Sequence, residues 1–463
     1  MYTTICNLDS VIEGANTIVI DNDRKLYDDY RTATEKFVCE NKAAIGGKYG
    51  VYLLTGRPLG REFITCDIYT DNAFDFGKRL CNELYKVRSA HIDSTLTYMM
   101  TEMRHLEFTI YVDTRPMVKV YRMDRYRGVD LMSVINFVKC PGFYYSRDDA
   151  AISVLPEELL LIDIYRSLHL PNRVGQWEDA WYLQDLLFKN YEEKLMQRTR
   201  GKSGGDDFNL SSNDGINKLN AAILKVLPVN ALIVGDYAIK YHTGGPNEHS
   251  GKSRMRLQVV YESAQSLLDL INSKINIKLT MAEFKIPIPG DFQFLKYSFY
   301  ANDGENNIAV MDIFNATSYE VVPGMIDAPA GDDKPTRGVN YAGIMPTLRY
   351  RFVDMWVMIL IASMNKQSPN LNCLSNNILT LHRKMLELSK SNPQQLFPQT
   401  NDVYVGVVLN ERVVKKRILK ESGFRIPPYY PYAYFTNNPE APIKPPNTAE
   451  SAEKNKLPPI GDV

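Results

Sequence analysis

The sequence predicts an α+β chain made of two tandem halves, each a small mixed sheet with flanking helices. Three observations carry that expectation. "AAIGGKYGVYLL" (residues 43–54) runs from an apolar strand through a glycine turn into an apolar helix, and "LIVGDYAIKYH" (residues 232–242) repeats the plan. "VLPEELLLIDIYRSLHLP" and "IMPTLRYRFVDMWVMILIAS" are both helices with a proline at the start. The offset between Gly46 and Gly235 is 189 residues and that between Pro156 and Pro346 is 190, so the landmarks keep step as a duplication requires.

The elements follow in order. After the glycine turn of the first half, "FITCDIYT" reads as a strand and "NAFDFGKRLCNELYK" as an amphipathic helix. "LEFTIYVD" and "MVKVYRM" alternate apolar and polar residues, the period of strands with one buried face. In the second half "SAQSLLDLINSK" is the matching helix, and "QFLKYSFYA" and "NIAVMDIFNA" are the matching strands. Mixed strands on a helical support exclude a bundle or a sandwich. The polar stretch "RTRGKSGGDDFNLSSNDG" reads as a linker, giving domains at residues 1–197 and 216–435 about residues 198–215. Residues 436–463 are proline-rich and nearly without apolar side chains, the composition of a disordered tail.

Composition narrows the functional classes. Lys plus Arg and Asp plus Glu cancel at 54 each, so binding to nucleic acid would rest on local patches and not on a global field. The six cysteines lack CxxC pairs or histidine partners at ligand spacing and read as reduced thiols. There is no basic leader followed by an apolar run, and no stretch reaches membrane-span length, so neither secretion nor membrane insertion is expected. "GGPNEHSGKS" fails the phosphate-loop spacing: Pro246 stands where the first glycine belongs. "TRPMVKVYRMDRYRG" interleaves Arg115, Lys119, Arg122, Arg125 and Arg127 with Tyr121 and Tyr126, a pattern that suits single-stranded RNA or, alternatively, a charged sheet edge. "ERVVKKRILKESGFRIPPYYPYAYF" is a second basic segment that runs into a tyrosine cluster.

The segments "AIGGKYGVYLL", "CDIYTDNAFDFGKRLCNELY" and "VLPEELLLIDIYRSLHLPNRVGQWEDAWYLQDLLFKNY" together resemble the nucleotidyltransferase fold, and specifically the catalytic subunit of the poly(A) polymerases of large DNA viruses. The resemblance covers most of residues 35–195 and, more faintly, residues 225–365. It implies glycines (Gly46 and Gly47) at the triphosphate, Tyr165 and Arg166 near the nucleotide, ATP and Mg as cofactors if the protein is active, and a third carboxylate beside an alternating D-h-D pair. Such a cage holds two divalent ions that activate a 3′-hydroxyl and neutralise pyrophosphate. In this sequence those positions fall at Thr65, Asp67 and about Arg122 in the first half, and at about Arg256, Gln258 and Asp312 in the second. One carboxylate in each half cannot hold two magnesium ions, and an arginine in the cage would repel them.

Two readings stand. The first is a degenerate homologue without a cofactor, an RNA-binding or protein-interaction component of viral mRNA processing or of the virion, whose partner is RNA, another viral protein or a second copy. The second is a working polynucleotide adenylyltransferase that uses Asp67 and an acid not yet placed. An architectural virion protein without RNA affinity is a further alternative. All place the chain in the host cytoplasm, at the viral factory, or in the virion.

Overall fold

The computed structural model describes residues 27–59, 64–89, 97–101, 107–112, 115–123, 125–145, 151–169, 171–200, 213–244, 257–286, 288, 295–302, 307–315, 322–325, 340–398, 403–405 and 429–431. The chain divides into two compact units. One comprises Met1–Asp124, Asn136–Leu155 and Lys415–Val463, and the other Arg125–Ile135 and Pro156–Val414.

The first unit begins with α1 (residues 27–40), β1 (Ala44–Gly46), α2 (Gly47–Thr55), β2 (Cys66–Thr70) and α3 (Ala73–Ser89). It continues with β3 (Thr97–Thr101), β4 (Glu107–Val112) and β5 (Arg115–Arg122). The chain then contributes β6 (Arg125–Tyr126), β7 (Val129–Asp130) and α4 (Leu131–Val134) to the other unit, and returns with β8 (Val138–Pro141) and β9 (Ala151–Val154). The seven strands pair in the order β3-β4-β5-β2-β1-β9-β8. α3 buries Ala73, Phe76, Leu80 and Leu84, spaced to share one helix face, and Phe74 packs on Phe108 of β4. Residues of one parity on the strands (Cys66 and Ile68 beside Val118 and Val120) are buried, so Asp67 and its neighbour Lys119 belong to the opposite face. Tyr429 bridges to Met99 on the edge strand β3, each backbone N–H donating 2.9 Å to the other's carbonyl.

The second unit holds α5 (Glu157–His169), α6 (Trp177–Arg200), α7 (Asn213–Val226), β10 (Leu232–Val234), α8 (Gly235–Thr243), β11 (Leu257–Tyr261) and α9 (Ala264–Lys274). Then come β12 (Leu279–Lys285), β13 (Leu295–Asn302), β14 (Asn307–Asn315), β15 (Val322–Met325), β16 (Asn340–Ala342), α10 (Ile344–Met364), α11 (Asn372–Ser391) and β17 (Val403–Val405). Its sheet runs β12-β13-β14-β11-β10-β16-β15-β17. Strand for strand this is the order of the first sheet with one strand added, which is what a duplicated α+β plan requires. Leu219 and Ile223 of α7 and Leu267 and Ile271 of α9 bury against Val259, Phe299 and Ile313. Ser263 caps α9 by accepting from the Ser266 N–H.

Several boundaries differ from those expected. α5 and α6, read as the closing segment of residues 1–197, group with the second unit. Residues 198–200 complete α6 and residues 213–215 open α7, so the described ends of the expected linker are helical; residues 201–212 lie outside the described residues. The tail from 436 onward, the loop from 245 to 256, Cys6 and all but residues 429–431 of the second basic segment also lie outside them. None of the five described cysteines is in a disulfide.

Candidate functional site

The first half places its site where β1 ends against β2. Gly46 closes β1 directly opposite Asp67, and Gly47 opens α2 with φ +58°. That left-handed backbone suits glycine, and here glycine is needed twice over. A Cβ on Gly47 would fall inside the Asp67 carboxylate, whose Cγ lies 3.0 Å from that point. The half-buried carboxylate therefore rests on the first residue of α2, at the positive end of the helix dipole. Across the parallel pairing, Asp67 faces Lys119 on β5. Lys119 lies 3.7 Å from Glu107, and the Thr65 hydroxyl donates 3.3 Å to the Pro116 carbonyl. Burial, followed by the charge of Asp67, pushes the Cys66 thiol well above its ordinary pKa, so it is an inert neighbour.

A second carboxylate fixes the frame around this turn. Glu35, buried in α1, accepts from the Tyr49 hydroxyl of α2 at 2.6 Å and from the backbone N–H groups of Phe143, Tyr144 and Tyr145 at 3.1, 2.8 and 2.7 Å. Burial and the adjacent Glu35 charge push the Tyr49 hydroxyl far up, so it stays a donor.

In the second half Gly235 opens α8 with φ +74°. It is thus the counterpart of Gly47, a correction of the expected match to Gly46. Gln258 takes the place of Asp67 and pairs with Asp312 on β14, as expected. The place corresponding to Asp312 in the first half is therefore Lys119. The expected Arg122 lies three residues further on, exposed, and pairs with Thr70. The offset between halves is 188 residues at Gly47 and Gly235, 191 at Asp67 and Gln258, and 193 at Lys119 and Asp312, because the intervening loops differ in length.

The cage region of the second half is filled by charged side chains. Arg351 Nη2 donates 2.9 Å to Gln258 Oε1 and lies 3.1 Å from Asp236 Oδ1, while its Nη1 lies 3.3 Å from Asp354 Oδ2. Gln258 Nε2 donates to both oxygens of Asp354, at 3.1 and 3.0 Å. On the neighbouring strands, Lys296 Nζ lies 3.2 Å from Asp312 Oδ2, and Ser298 Oγ donates 2.6 Å to Asp312 Oδ1. Asp312 is 1% exposed. Burial pushes Asp354 above the usual carboxylate pKa, against the pull of Arg351, Lys296 and the Gln258 hydrogen bond.

The other expected site residues are dispersed. Tyr165 is 0% exposed and stacks on Phe352 with ring centres 5.8 Å apart, so it is a core residue of α5 and not a nucleotide contact. Arg166 is half-buried on the same helix. Arg115 hydrogen-bonds Tyr27, and its guanidinium lies 5.9 Å from the centre of that ring. β5 is an interior strand, so its charges do not blunt a sheet edge. The β4–β5 register shifts at Met117, where Met117 and Val118 are both buried, so alternation does not carry Arg115 and Lys119 to one face; beyond the shift Lys119 and Arg122 have opposite parity, while exposed Arg125 and Arg127 belong to the β6–β7 hairpin of the second unit. Arg256 lies outside the described residues.

A two-metal cage is a poor fit to the residues present. Of the three ligand positions in the first half, a threonine, an aspartate and a lysine are found, and among the described residues no group of three or more His, Cys, Asp or Glu is suited to a metal. Sequence reasoning missed Arg351, Asp354 and Lys296. The signal available was the charge in α10, where Arg349, Arg351 and Asp354 interrupt a helix otherwise apolar all round.

Two tandem mixed sheets of one strand order, each with a glycine-initiated helix facing a polar strand position, define a nucleotidyltransferase-like double fold. The polyadenylate synthase of Megavirus has this fold: its crystal structure superposes with a TM-score of 0.64 over 95% of this chain and 88% of that one, at 16% sequence identity. By sequence, the chain is similar to an uncharacterized protein of African swine fever virus from a Malawi tick isolate, 25% identical over 449 residues, spanning 93% of this chain and 98% of that protein. The corresponding protein of a South African tick isolate is 24% identical over 446 residues, with the same coverage. No protein-family model matches the chain. Among the described residues no helix is long and apolar enough to cross a membrane.

Proposed function

We propose that the chain is a nucleotidyltransferase-like viral protein that does not transfer adenylate and works through its surfaces, in viral mRNA processing or in the virion. One observation carries this reading: Lys119 stands beside Asp67 where a third carboxylate would be needed, and Thr65 stands where the first would be. A lysine there places a fixed positive charge where divalent ions would sit, and one carboxylate cannot hold two of them. The zero net charge and the separation of Arg115, Lys119 and Arg122 between two strand faces support a protein partner, either another viral protein or a second copy, over RNA. The site of action would be the viral factory in the host cytoplasm or the virion.

Calorimetry with ATP and Mg on the wild type and on Asp67→Asn tests the reading. No heat of binding in either is the expected result. Metal-dependent ATP binding lost in Asp67→Asn, with adenylate added to an RNA 3′ end, would move the chain to the polynucleotide adenylyltransferases. RNA binding that weakens steeply as salt rises would make RNA the partner, because phosphate contacts release counterions.

A further inference from the structure

Of the four edge strands of the two large sheets, one is long and has no partner on its outer side among the described residues. β3 is bridged at Met99 by Tyr429, β8 is four residues long and ends at Pro141, and β17 is three residues long. β12 runs for seven residues, Leu279–Lys285, and pairs along its whole length with β13 on its inner side. A strand edge presents N–H and C=O groups to any extended chain, and charged side chains are the usual guard against a second copy. Here the guard is one acid and one base. Glu283 and Lys285 are both exposed, stand two residues apart on one face, and flank half-buried Phe284.

We propose that β12 is a self-complementary edge through which two copies of this chain associate, antiparallel about a two-fold axis at Phe284. In that register Glu283 of each copy faces Lys285 of the other, Ala282 faces Ile286, and Phe284 faces Phe284, so the two sheets join into one. Directly opposed pairs of opposite charge and of aromatic rings stabilise such a strand pair, and like charges destabilise it. The pattern selects this register. Sliding one strand by two residues sets Glu283 opposite Glu283 or Lys285 opposite Lys285. Sliding it by one sets a charge opposite Phe284 and turns every side chain to the other face. The two-fold axis makes each contact twice, as isologous interfaces do. The inference rests on the reading that the chain works through its surfaces, and it names the partner as a second copy.

The test is sedimentation of the full chain over a range of concentrations, at low salt so that exposed charges are not screened. The wild type is expected to associate as a dimer. Glu283→Lys sets lysine opposite lysine at both ends of the pair, and Lys285→Glu sets glutamate opposite glutamate. Each variant should weaken the dimer on the order of tenfold or more. An equimolar mixture of the two variants should restore association, because each then meets its opposite charge in the other. Glu283→Lys with Lys285→Glu in one chain should restore it as well, and keeps the test open if a single variant does not fold. A wild type that stays monomeric overturns the inference, as do single reversals that leave the dimer intact or a mixture of folded variants that does not associate. None of these results touches the absence of adenylate transfer, which calorimetry with ATP and Mg reads separately.

Discussion

Substituting Gly47 by alanine tests whether the start of α2 is built to seat Asp67. Two costs are separable. Holding alanine at φ +58° costs about 1–2 kcal/mol, because the Cβ crowds the following carbonyl. The new Cβ also overlaps Asp67 Oδ2, so the carboxylate must leave the helix terminus and gives up about 1–2 kcal/mol of interaction with the dipole and its local contacts. Gly47→Ala should therefore lose about 2–4 kcal/mol. In an Asp67→Ala background the clash is gone and only the backbone cost remains, about 1–2 kcal/mol. The double-mutant cycle should show a coupling of about 1–2 kcal/mol, read by urea denaturation with unchanged m-values. Additivity within about 0.5 kcal/mol would refute the seating argument and leave Gly47 as a turn residue only.

Three further outcomes follow from the described geometry. Glu35→Ala removes the acceptor of four hydrogen bonds that tie α1 to α2 and to residues 143–145, and should cost about 3–5 kcal/mol by denaturation, with Glu35→Gln intermediate. Burial holds both His242 and His382 down at about pKa 4; from an unfolded value near 6.5, the unfolded chain binds more protons between these limits. The second unit should accordingly lose stability as pH falls from about 6.5 to 4, on the order of 2 kcal/mol per histidine at pH 5, and His382→Gln should flatten that slope in urea titrations across pH. Tyr191→Phe removes a hydroxyl that donates 2.5 Å to buried Glu158 and accepts from Arg198, and should cost about 1–3 kcal/mol by urea denaturation.

Elements with a clear period were legible in the sequence. α3 and α9 show their buried face every three or four residues, β4, β5 and β13 alternate in sequence, and β14 is a nearly continuous apolar run, so each is found to within a few residues. β3 and β12 were not: "TYMMT" and "LTMAEFK" are edge strands, and their mixed pattern lacks the two-residue period of a half-buried strand. The duplication was legible, but its register was not, because loops of different length shift each strand by its own amount. That is how Arg122 stood in for Lys119. Tyr165 was misassigned for another reason. "LLLIDIYRSLH" is apolar nearly all round, the mark of a buried helix, and that pattern puts Tyr165 in the core.

The two halves constrain what the glycine turn means. Gly47 and Gly235 both open a nine-residue helix in the left-handed region, yet what rests on them differs: a carboxylate in the first half, an amide oxygen held by an arginine in the second. Where the strand turns sharply into the helix, the chain needs a residue free to take positive φ, and the first N–H groups of the covered helix terminus need a polar group from the neighbouring strand. Both needs are met in the second half with three carboxylates already neutralised by Arg351 and Lys296. The turn is thus sufficiently explained by folding in that half, and its presence in the first half says nothing by itself about triphosphate. What separates the halves is charge at the two positions of one cross-strand pair: Asp67 beside Lys119 against Gln258 beside Asp312. The functional question therefore rests on Asp67 and Lys119. A Lys119→Asp variant, which restores an acid beside Asp67, is the substitution that should first give the first half affinity for Mn²⁺, measured by calorimetry; indifference to metal in that variant would mean that the strand face lost more than its charges.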